Sequence, residues 1–340
     1  MRCYPSAGKA IISVFPDNEQ TKAIDAHIQS SSQEWKHISI TGTTADKLLS
    51  SGEQVRQALG ESSRQIRFGQ DISERLKFSE CAIESLLGQV EGRCLIVSPS
   101  LVPFDLVSDD SGFWGERYIF SHVLTGDKIP TPKVLKRVLF PVKQTIDTYL
   151  LLCPMAMDRP LARHLQDIVT VALSFEQQMP VELWLQPSLD RAMQGLKRTD
   201  VSWLHIDTHG DKNGQLIMLG PSRGNRDLVD GDAFPESVRV PLVMVVGCGL
   251  TAKYNSIGSV LFERGAQSVF GPCTVFQSLG IANSEDEQAK WYRTFFSALL
   301  DGEDIGVSLL NARRAIKGGI LKHAWLIIGS SLLSFEREWG

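Results

Sequence analysis

The run Leu242-Val243-Met244-Val245-Val246 constrains this chain more than any other stretch. Five consecutive apolar residues, three of them valine, leave no polar position for solvent. They predict a strand covered on both faces, the habit of parallel sheets flanked by helices. The run stops at Gly247-Cys248-Gly249, and a helical pattern follows from Ser256 to Glu263. In an open α/β sheet, ligands bind in the crevice beyond the carboxyl ends of the strands. A thiol there, between two glycines that allow close backbone approach, is placed to act as a nucleophile.

A second run of the same kind, Val201 to Asp207, leads into Thr208-His209-Gly210. If the two runs are adjacent parallel strands, His209 and Cys248 come to the same sheet edge and form the pair that thiol nucleophilic catalysis requires. Period two puts His205, Asp207 and His209 on one face. Position separates the histidines: His209 ends the run and precedes a glycine, whereas His205 sits mid-strand and reads as a core residue. Asp207 has three readings, as an orienter of an imidazole, as an acid lining the cleft, or as a strand-end cap.

Strand and helix patterns alternate through the rest of the chain, which predicts an α/β fold with right-handed crossovers. Strands are expected at Lys9–Phe15, Trp35–Ile40, Cys94–Val97, Tyr149–Cys153, Val181–Leu185 and Gln267–Gly271. A further strand at Ala324–Gly329 is expected to close the sheet. Helices are expected over 44–59, 70–90, 158–178 with Asp158 as cap, 188–197 with Ser188 as cap, 283–300 and 304–317. Gln215–Leu219 reads as hairpin-like, and 108–133 as a long loop with one short strand near Tyr118–Phe120. Residues 1–64 carry no recognisable chemistry and are set apart as an N-terminal extension. The remainder, 65–340, is read as one domain, with an N-terminal portion at 65–147 and a catalytic core at 148–332.

Composition narrows the class. A formal net charge of −4 gives no electrostatic case for nucleic acid or an anionic membrane surface. No apolar run approaches the roughly 20 residues of a membrane span, and no signal-peptide core opens the chain, so a cytoplasmic location is expected. The six cysteines show no metal-ligand spacing, so neither a metal site nor a disulfide framework is expected. Five of the six read as structural, with Cys94 and Cys153 inside apolar strands. No strand leads into GxGxxG or GxxxxGK[ST], which argues against a nucleotide binder.

The order of these pieces resembles the CHAT peptidases, a branch of the caspase-like cysteine peptidase clan that includes separases and metacaspases. The resemblance covers roughly 65–332. It rests on Arg93-to-Val107 with its Pro103-Phe104-Asp105 loop, Trp203-to-Gly210, Leu242-to-Gly249, Gly265-to-Val269, Phe295-Phe296 with Leu299-to-Gly302, and Ser308-to-Arg313. The family's usual Ala-Cys-Glu-Thr is replaced by Gly247-Cys248-Gly249-Leu250, which bears on the shape of the specificity pocket.

The resemblance implies a caspase-like three-layer sandwich, a mostly parallel central sheet between helices. It also implies a cysteine endopeptidase with Cys248 as nucleophile, His209 as base, and the N–H groups of Gly210 and Cys248 as oxyanion hole. No cofactor is implied. The expected partners are a protein substrate and an activating protein or complex, in a bacterial regulatory or antiphage-defence setting. In separase-like relatives an acid near Asp286 binds the basic residue before the scissile bond. Asp286, Asp207 and Gly249 are therefore candidate substrate contacts, although Ser284-Glu285-Asp286-Glu287 also reads as an acidic helix start. Arg313-Arg314 reads as a solvated face. The competing reading is a caspase-like scaffold without activity that serves as an interaction module.

Overall fold

The computed structural model describes residues 9–16, 19–31, 35–50, 92–102, 104–106, 108–109, 112–126, 128–156, 159–211, 214–221, 227–247, 249–251, 253–273, 285–317 and 325–336. Among these, the strands are β1 (Lys9–Val14), β2 (Trp35–Ile40), β3 (Arg93–Ser98), β4 (Ser108–Asp109), β5 (Gly112–Phe113), β6 (Ile119–Leu124), β7 (Val142–Thr145) and β8 (Thr148–Cys153). They continue with β9 (Val181–Leu185), β10 (Val201–Asp207), β11 (Leu216–Met218), β12 (Leu228–Asp230), β13 (Leu242–Val246), β14 (Ser268–Pro272), β15 (Trp325–Gly329) and β16 (Leu333–Glu336). The helices are α1 (Glu19–Ser31), α2 (42–50), α3 (Pro132–Leu139), α4 (Arg159–Leu173), α5 (Leu189–Gly195), α6 (Ile257–Glu263), α7 (Glu285–Leu300) and α8 (Ile305–Ala315).

Ten strands form one sheet in the order β2-β1-β3-β6-β15-β14-β13-β10-β8-β9. Every neighbouring pair is parallel except β14 and β15, which run antiparallel. The sheet is thus two parallel halves of opposed direction, joined at one seam. The expectation that the strand at 324–329 closes the sheet is corrected: β15 lies in the interior, between β6 and β14. Its all-apolar burial fits that place, because a central strand has no solvent face. Residues 9–40, within the stretch set apart as an extension, supply β1 and β2 of this same sheet, and β1 pairs directly with β3.

Helices cover both faces. On one, α4, α7 and α8 bury Tyr149, Trp203, Phe270, Trp291, Tyr292, Phe295, Phe296 and Trp325 against the sheet. Phe270 stacks on Trp325 at 4.7 Å and on Phe295 at 4.9 Å. Such pairs add about 0.5–1.5 kcal/mol each beyond the area they bury. On the other face, α3, α5 and α6 pack against Leu204, Ile206, Val243 and Val245. Both faces of β10 and β13 are thus covered, which is why β13 reads as a continuous apolar run.

Three further sequence expectations change. The supposed loop at 108–133 contains the small hairpin β4–β5, a short 3-10 turn at Trp114–Glu116, and β6, a fully buried strand of the main sheet. Ser121 and His122 disguise β6 as polar, yet both are buried, and His122 contacts the Asp105 carboxylate at 3.4 Å. Helix α3 was not anticipated, although Thr131 caps it through Val134 N–H and Pro132 opens it. Helix α4 ends at Leu173 and gives way to turns before Gln178. The helix expected at 70–90 and the Asp158 cap lie outside the described residues, as does the part of the 44–59 helix beyond 50.

Candidate active site

Strand β10 pairs in parallel with β13, Leu204 beside Val243 and Asp207 beside Val246. The pairing continues one residue further, where Thr208 N–H donates to Val246 O at 2.9 Å. His209 and Cys248 each stand two positions beyond the last registered pair. His209 is exposed, while Gly247 and Gly249, which bracket the cysteine, are buried. Cys248 itself lies outside the described residues.

The loop after His209 is tied down on one side. Met218 N–H donates to His209 O at 3.0 Å and Asp211 N–H donates to Leu216 O at 3.0 Å, which leaves Gly210 opposite Ile217 in an antiparallel bridge. In such a ladder the bonds on either side belong to the flanking residues. The Gly210 N–H is therefore not spent on the hairpin and points away from it. Thr208 Oγ1 donates to Met218 O at 2.6 Å and fastens the same hairpin, β11–β12, to the end of β10.

Beneath the edge lies a buried polar layer. Tyr149 O–H and His205 Nδ1 are 2.7 Å apart, and the His205 ring stacks near Tyr292 at 6.2 Å. His205 is fully buried, the core placement expected of it. Asp207 is also fully buried, and desolvation raises its carboxyl well above the ordinary value, so it is protonated where an exposed aspartate would be ionised. Tyr149 and Tyr292 are raised too, chiefly by burial and then by the Asp207 charge.

Of the other candidate contacts, Gly249 has φ +61, and its carbonyl oxygen lies against Gly214. Asp286 falls in the first turn of α7, its side chain outside the described residues. Its neighbour Glu287 accepts at 3.0 Å from the N–H of Lys317, just beyond α8.

Sequence reasoning missed a second buried cluster. Arg313, read as part of a solvated face, is fully buried and bridges to Asp105 at 2.7 Å, with donations to Gly115 O and Trp325 O. Arg314 alone is exposed. The signal was Asp105, a carboxylate in an otherwise apolar loop that needs a buried cation. Cys94, Cys153 and Cys273 are buried free thiols, and burial is the main cause raising the first two.

The geometry can be set beside known proteins. No family model matches the sequence, and no curated protein matches it. Solved structures do match in fold. One is a protease, superposing with a TM-score of 0.53 at 11% identity over 97% of this chain and 79% of that one. Another is the Saccharomyces cerevisiae separase–securin complex, with a TM-score of 0.50 at 13% identity over 78% of this chain. The matched part is 17% of that separase-complex chain. The fold is a caspase-like α/β sandwich, the class shared with these structures. Among the described residues no helix is long and apolar enough to cross a membrane.

Proposed function

We propose that the chain is a cysteine peptidase of the CHAT type, working through Cys248 and His209. The observation that supports this most is the shared edge: parallel neighbours in register, one ending in an exposed histidine, the other running into the cysteine. His209 takes the thiol proton, and the thiolate attacks the scissile carbonyl carbon. The N–H groups of Gly210 and Cys248 hold the oxyanion, each such donor being worth about 3–4 kcal/mol in the transition state. Collapse breaks the C–N bond, His209 protonates the departing amine, and water then hydrolyses the thioester.

The separase likeness, with securin as that protein's partner, favours a protein substrate here. Action in the cytoplasm of a bacterium, in regulation or phage defence, belongs to the same proposal. Specificity is assigned to a basic residue before the cut, held by Asp286. The buried, protonated Asp207 suits that role less well.

The test is digestion of a proteome-derived peptide library by the purified protein, with cut sites read by mass spectrometry. Cys248→Ala and His209→Ala should each reduce cleavage to background while the folded circular-dichroism signature persists. Cleavage by Cys248→Ala at the parent rate would end the peptidase reading in favour of a scaffold. Loss of the basic preference in Asp286→Ala is expected; an unchanged preference would move the role elsewhere.

A further inference from the structure

Gly214 sits in the left-handed region at φ +68, and a Cβ there would run into the carbonyl oxygen of Gly249. The glycine after the cysteine is thus in backbone contact with the loop that follows the histidine. Gly214 is held from both directions. Its N–H donates to Asp211 O at 3.0 Å, and its carbonyl accepts from Ile257 N–H, at the start of α6, at 2.8 Å. Asp211 Oδ1 accepts from Gln215 N–H at 2.7 Å and from Leu216 N–H at 2.8 Å. On the far side, Gly258 N–H donates to Leu250 O at 2.7 Å, so the segment after the cysteine is pinned to the same helix.

We infer that Asp211 and Gly214 are positioning residues that hold the His209-Gly210 loop and the backbone after Cys248 in one frame. This rests on the peptidase reading above and adds to it a physical link between the two reacting loops. Strand register alone brings both loops to one edge. It does not fix their separation, because both loops run on beyond the last registered pair, Asp207 beside Val246. The carbonyl contact between Gly214 and Gly249 supplies that constraint, and the Asp211 carboxylate keeps the turn closed. Only glycine satisfies position 214 on two counts, the positive φ and the contact.

The test uses the whole protein with iodoacetamide as probe, following alkylation of Cys248 by peptide mapping across pH. It also measures kcat and KM on a peptide that the parent cleaves. In Gly214→Ala the alkylation midpoint should rise by about one pH unit, as expected for a thiolate that loses its histidine. Its kcat should fall about a hundredfold at nearly constant KM, as for a misplacement of about 1 Å. Asp211→Ala should show about a tenfold loss of kcat from the same cause. Asp211→Asn should restore it, because the amide oxygen still accepts both N–H groups.

If the variants lose thermal stability while the pH profile and kcat stay at parent values, the turn is structural only and the inference is wrong. If Gly214→Ala does not fold, the Asp211 pair decides between the same outcomes. His209→Ala separates the two levels. A parent-like pH profile in that variant would remove the dyad, and the role of the turn with it.

Discussion

Two fully buried carboxyls, Asp105 and Asp207, are driven in opposite directions by their surroundings. Burial alone would raise both. At Asp105 the Arg313 guanidinium and His122 outweigh burial and hold the carboxyl below its ordinary value. Its contribution to stability is therefore present above the unfolded value and lost as pH falls through the folded one. At Asp207 burial prevails, so its contribution is present below the unfolded value near 4 and lost as pH rises toward the folded one. Asp207→Asn should then be more stable than the parent at pH 8, with the advantage shrinking toward pH 4. The slope difference should reach at most about 1.4 kcal/mol per pH unit. Urea midpoints across that range check it, and parallel curves would refute the assignment. Arg313→Met leaves Asp105 buried without its cation and should cost about 3–5 kcal/mol, read from the same titrations. At the thiols, brief labelling should favour Cys248 over Cys94, Cys153 and Cys273, since burial suppresses the thiolate. Uniform labelling would count against an activated cysteine.

Among the elements, α8 shows how one side chain serves two contacts. Asp304 caps the helix by accepting from Val307 N–H at 2.9 Å, and it also receives both guanidinium N–H groups of Arg93 at the start of β3. The cap is local, while the ion pair reaches across 211 positions of sequence. Asp304→Ala should cost about 1–2 kcal/mol, and Asp304→Ser should recover about 1 kcal/mol through the cap alone. Thermal unfolding of the two variants distinguishes these contributions; equal losses would mean that the cap contributes nothing. The Ser188 and Ser256 caps follow the same local rule, each accepting from the N–H three residues on.

At the scale of the molecule, β15 is the joint. It pairs antiparallel with β14 over five residues and parallel with β6. This single strand thus carries the contact between the two half-sheets. Hydrogen exchange should find the amides of Trp325–Gly329 as slow as those of β13, because opening them requires separating the halves. Exchange at the rate of a frayed terminus would contradict the seam.

What the amino-acid order settled by itself was local. Apolar runs marked β1, β8, β10, β13 and β14 because strands buried on both faces are predominantly apolar. Ser188 marked a helix start because the cap bond spans only three residues. Glycine after His209 and around Cys248 marked strand ends. The pairing of β10 with β13 was also legible, since parallel strands separated by a crossover tend to be neighbours. Tertiary structure alone decided the rest, and the reason is distance along the chain. The place of β15 depends on β6, some two hundred positions earlier. The burial of Arg313 and that of His122 both depend on Asp105. The raised Asp207 carboxyl depends on burial beside β8 and α7, whose Tyr149 and Tyr292 lie near it. A side chain's charge state and exposure are properties of what packs against it, and no window of sequence contains those partners.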